Sequence, residues 1–135
     1  MKRIGIMAHL GKPRALELAA KVKEFLAASG LDIWVPEEAA EVLGWGPASE
    51  KLYIGGHPLG VDAAVVLGGD GTLLHAAGFL APFDIPMLSV NLGYLGFLSE
   101  VEASELEPTL QALISNQFEI EERMLLEAVV KGEDK

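Results

Sequence analysis

The sequence predicts an α/β fold of three layers, a parallel sheet with helices on both faces. Three observations carry this expectation. Short, mostly apolar runs recur along the chain, and segments with apolar residues at helical spacing separate them. The first run, the first helical segment and the second run all fall within 33 residues, Arg3 to Val35, the span of a parallel βαβ unit. Repetition of such units gives helices above and below one sheet.

The elements follow in order. Arg3-Ile-Gly-Ile-Met-Ala-His9 reads as a buried strand, and Gly11-Lys12-Pro13 ends it. Pro13 suits the first position of a helix, where its missing N–H is not needed. From Pro13 to Ser29, Ala15, Leu18, Ala19, Val22, Phe25 and Leu26 share one helical face, with Glu17, Lys21, Lys23 and Glu24 outside it. Gly30 fits the left-handed residue that closes a helix. Asp32–Val35 is a second strand, ended by Pro36. Glu37 to Leu43 suits a short helix. The stretch from Gly44 to Gly60 is dense in turn formers and reads as a mobile surface segment.

Ala63–Leu67 is a third buried strand that runs into Gly68-Gly69-Asp70-Gly71-Thr72. A helix is expected from Leu73 to Ala81, stopped by Pro82, then a fourth strand over Pro86–Val90. A further helix spans about Leu106 to Asn116, begun either by a capping box of Ser104 and Glu107 or by Pro108 at its first position. The acidic run Glu100–Glu107 reads as a solvated face. Phe118–Glu121 alternates like a half-exposed strand, and Met124–Val130 like another, leading to a turn at Lys131–Asp134. A turn with no returning strand leaves an apolar edge unpaired, so the chain is expected to be the N-terminal part of a longer protein, ending in a truncated β segment. The expected domains are residues 1–122, binding a nucleotide, and 123–135, the start of a β-rich domain.

Composition narrows the function classes. The 135 residues carry 20 acidic and 10 basic side chains, a net charge of −10. Sequence-independent nucleic-acid binding needs a basic footprint, which this balance lacks. Residues 1–99 hold ten acidic and seven basic groups, residues 100–135 ten and three, so an anionic ligand is expected in the first hundred. Cysteine is absent, which removes disulfides, thiolate zinc sites and cysteine nucleophiles. No apolar run reaches membrane-spanning length, and the opening residues do not read as a secretory signal, so the expected location is the cytoplasm. His9, His57 and His75 have no metal-ligand spacing, and neither a P-loop nor a Gly-x-Gly-x-x-Gly fingerprint occurs.

In open α/β sheets, ligands bind beyond the carboxyl ends of the strands. Three glycine-bearing loops meet that description: His9–Pro13, Gly68–Thr72 and Asn91–Phe97. The second is the sharpest. Its glycines let a ligand approach the backbone, and the helix after it offers free N–H groups and a positive dipole end. An acidic residue there would repel a bound phosphate, yet it suits a metal-linked group or a general base for a hydroxyl. The plainer alternative is a tight turn in which Asp70 or Thr72 caps the helix. Lys12 could reach a phosphate or be an ordinary surface lysine.

Gly68-Gly-Asp-Gly-Thr72-Leu-Leu74, followed by Asn91-Leu-Gly-Tyr-Leu-Gly-Phe-Leu98, resembles the NAD kinase family, and the likeness extends over the whole Rossmann-like chain. The first motif is shared with diacylglycerol, sphingosine and 6-phosphofructo kinases; the second is far more specific. The resemblance implies an enzyme that transfers the γ-phosphate of ATP, with Mg²⁺, to the adenosine ribose 2′-hydroxyl of NAD. It implies that Asp70 accepts the hydroxyl proton, that Asp70 and Gly71 contact NAD, and that Gly68 and Gly69 admit the ATP phosphates. Thr72, Asn91 and Gly93 belong to the same nucleotide-binding set. His75 matches a position where the family often has a basic residue, and Phe97 and Leu98 would line the adenine pocket. No residue is assigned to a resident metal.

The family's second ribose-binding motif and its β-rich domain, which also makes the subunit contacts of a homo-oligomer, would lie beyond Val130. This chain alone is therefore expected to be inactive. His9 stands where many members have Asn. The alternatives are a lipid kinase of the diacylglycerol type and a non-catalytic module that binds a nucleotide or pairs through the Met124–Val130 edge.

Overall fold

A computed structural model describes residues 2–91, 101–102 and 106–115. It contains one six-stranded, wholly parallel sheet: β1 (Arg3–Ala8), β2 (Asp32–Val35), β3 (Leu52–Ile54), β4 (Ala63–Leu67), β5 (Met87–Asn91) and β6 (Val101–Glu102), in the order β3-β2-β1-β4-β5-β6. Helices α1 (Pro13–Ala28), α2 (Glu37–Leu43), α3 (Asp70–Leu80) and α4 (Leu106–Ile114) flank it, with a short 3-10 turn at Ala81–Phe83. Among the described residues no helix is long and apolar enough to cross a membrane.

The two faces follow from strand alternation. Ile4 and Ile6, Ile33 and Val35, Ala63, Val65 and Leu67 join one core with α1, α2 and α4. Met7, Trp34, Ala64, Val66 and Met87 join the other with Leu73, Ala76, Ala77 and Leu80 of α3. Every residue of β4 is buried, as a central parallel strand covered on both sides requires. Gly5 has a packing reason: a Cβ there would stand 3.3 Å from the Trp34 ring, which lies across β1. The indole donates its N–H to the Gly55 carbonyl at 3.0 Å and stacks on Phe79.

Local signals account for the helix ends. Pro13 opens α1, and Gly30, at φ +80°, closes it: Gly30 N–H bonds Ala27 O and Leu31 N–H bonds Leu26 O. The same double bond recurs at Gly44, φ +71°, with Trp45 N–H to Ala40 O and Gly44 N–H to Glu41 O. Both are Schellman closures, in which a left-handed residue folds the chain back onto the last free carbonyls.

Several expectations change. The segment from Gly44 to Gly60 contains β3, and Trp45 and Pro58 within it are buried. α3 begins at Asp70, three residues before the expected Leu73, and ends at Leu80 with Pro82 inside the 3-10 turn. Neither Asp70 nor Thr72 caps it: the N-cap position is Gly69, with no side-chain cap bond. The Glu100–Glu107 run is not simply a solvated face, because Val101–Glu102 pairs with β5 and Leu106 is buried. α4 starts at Leu106, so Pro108 is its third residue; Ser104 lies outside the described residues. So do the strands expected at Phe118–Glu121 and Met124–Val130.

The amino ends of β1 and β4 are tied by Asp62. Its carboxylate accepts the N–H groups of Lys2 at 2.7 Å and Arg3 at 3.0 Å, and its own N–H donates to Arg3 O at 2.8 Å. Arg3 in turn donates to Leu59 O at 2.9 Å and lies 3.7 Å over the Tyr53 ring. Desolvation is the largest single influence and works against the charged Asp62, but the two backbone donors and nearby positive charge, that of Lys2 included, together outweigh it and hold the carboxyl below its ordinary 3.8. A depressed carboxylate contributes stability above its unfolded pKa and loses it as pH falls through the folded value. Asp62→Asn should therefore cost up to about 1 kcal/mol at pH 7, a figure kept small by solvent exposure. The gap from wild type should close as pH falls through the lowered folded-state value, read by urea unfolding across pH.

Gly68 supplies a second test. A Cβ at Gly68 would stand 2.7 Å from Thr72 Cβ and nearer still to its hydroxyl. Gly68→Ala should destabilise by about 1–3 kcal/mol through overpacking, visible as a lower urea midpoint at unchanged slope.

Candidate nucleotide site

The sheet order places a topological switch between β1 and β4: from β1 the chain winds outward to β2 and β3, then returns to the other side at β4. At such a point the loops leaving neighbouring strands diverge to opposite faces and open a crevice. Here α1 leaves one face and α3 the other, and both begin at the carboxyl edge. His9 continues the pairing one step, its N–H donating to Leu67 O at 2.9 Å, so the β1 and β4 loops start side by side.

The first turn of α3 lies at this crevice. Gly69, Asp70 and Thr72 are half-buried and Gly71 is exposed. The N-cap residue is Gly69, with no side-chain cap bond, and the dipole at a helix start favours negative charge.

The three glycines differ in their reasons. Gly68 is needed by the fold, since Thr72 occupies the space of its Cβ. Among the described residues nothing lies within 4 Å of a Cβ at Gly69, Gly71 or Gly78, and neither Gly69 nor Gly71 has positive φ. What sets Gly69 and Gly71 apart from Gly78 is their place at the start of α3, beside the switch point.

The structure brings together Gly68, Gly69, Asp70, Gly71 and Thr72, and it sets Asn91 at the carboxyl end of the neighbouring β5, where Gly68 N–H bonds Val90 O. Gly93, Phe97 and Leu98 lie outside the described residues. His75 is exposed and stands apart: five residues along α3 from Asp70, it lies roughly 140° around the helix, opposite the packed face. Among the described residues no group of three His, Asp or Glu side chains could hold a metal ion. His9, in another of the three loops at the strand ends, is exposed and accepts the Gly11 N–H at its Nδ1.

A family model described as the ATP-NAD kinase N-terminal domain matches residues 4–118. The chain is 39% identical over 135 residues to an NAD kinase of Moorella thermoacetica, covering 100% of this chain and 42% of that protein. It is 42% identical over 131 residues to an NAD kinase of Geobacter sp. (strain M21), covering 97% and 46%. Among solved structures, yeast NADH kinase complexed with NADH superposes with a TM-score of 0.71 at 26% identity, over 85% of this chain and 38% of that one. The chain thus spans a little under half the length of the relatives it matches. These matches favour the NAD kinases over the lipid kinases that share the first glycine motif. With the glycine motif seated at the sheet's switch point, and the family model matching most of the chain, this protein belongs to the ATP-NAD kinase N-terminal domain family.

Proposed function

We propose that this chain is the nucleotide-binding part of an NAD kinase, with Asp70 as the proton acceptor. The observation that carries the reading is the position of Asp70 at the start of α3, at the switch-point crevice, between two glycines that no contact among the described residues requires. A helix start built only to hold a triphosphate gains nothing from a carboxylate. One built to activate an alcohol beside that triphosphate needs it.

In this reading MgATP is the donor, and the Mg²⁺ arrives on the triphosphate, in keeping with a single carboxylate in the described site. The adenosine ribose 2′-oxygen of NAD attacks the γ-phosphorus and the bond from that phosphorus to the β,γ-bridging oxygen breaks. The hydroxyl proton passes to the Asp70 carboxylate, and the products are NADP and ADP. The protein's share is alignment and charge placement, as phosphoryl transfer requires. The N–H groups of the first α3 turn face the phosphates, and Gly69 and Gly71 keep the approach clear. Residues beyond those described, Gly93, Phe97 and Leu98 among them, would line the NAD side. The longer relatives imply that the remaining NAD contacts come from sequence outside this chain.

Asp70→Asn separates a base from a binding group. Removing the negative charge should leave MgATP affinity equal or higher by calorimetry. NADP formation, measured in the protein expressed from its complete reading frame, should fall about 10²–10⁴-fold. Unchanged NADP formation would remove Asp70 from the mechanism.

Gly71→Ala tests the approach path. Alanine is the better helix former by up to about 1 kcal/mol, so the melting temperature should hold or rise. Nucleotide affinity should nevertheless drop about tenfold or more, some 1.4 kcal/mol. A variant that binds as well as wild type would show that no ligand passes over this turn.

A further inference from the structure

We draw no further inference here: the strongest candidate, the exposed apolar patch on the α3 face of the sheet where Tyr53, Leu59 and Phe79 gather around Trp34 and Arg3, carries nothing because nothing among the described residues shows what covers it.

Discussion

The parallel pairing of β1 with β4 is the constraint on which the rest of the molecule depends. Five consecutive Cα pairs, Ile4↔Ala63 to Ala8↔Leu67, join two strands that are far apart in the chain and buried on both faces. Because neither strand can slip by one residue without exchanging its core-facing set, the register is pinned by burial. Asp62 locks one end through the Lys2 and Arg3 amides, and His9 extends the other to Leu67 O. With those strands side by side, α1 and α3 must start at the same edge on opposite faces. The crevice between them is a consequence of topology before any side chain is considered.

α1 opens on proline and both α1 and α2 close with a full set of backbone bonds around a left-handed glycine. α3 opens on glycines with no side-chain cap. At their starts the three helices are alike, with no side-chain cap bond at Lys12, Pro36 or Gly69. Packing separates glycines that look alike in sequence: Gly5 and Gly68 answer to Trp34 and Thr72, Gly11 to His9, while a Cβ at Gly69 or Gly71 would meet no neighbour among the described residues.

Family membership and site geometry meet at Asp70. The family match and the seat of the glycine motif at the switch point agree, and the chain spans a little under half the length of the relatives it matches.

Much of this was legible from the amino-acid order because the signals were local. The β1, β2, β4 and β5 strands, the face of α1 and the Gly30 closure each arise from burial periodicity or backbone stereochemistry within a few residues. β3 and β6 were not legible. Leu52–Ile54 and Val101–Glu102 are too short to carry a periodicity of their own and become strands only because a neighbour's free backbone groups are there to pair with. The start of α3 at Asp70 escaped too, since glycines argue locally against helix while packing of Leu73, Ala76 and Ala77 on β4 favours one. The strand order, the contact of Gly68 with Thr72 and the leaning of His9 on Gly11 arise where the chain folds back on itself, from contacts in space that no reading along the chain can supply.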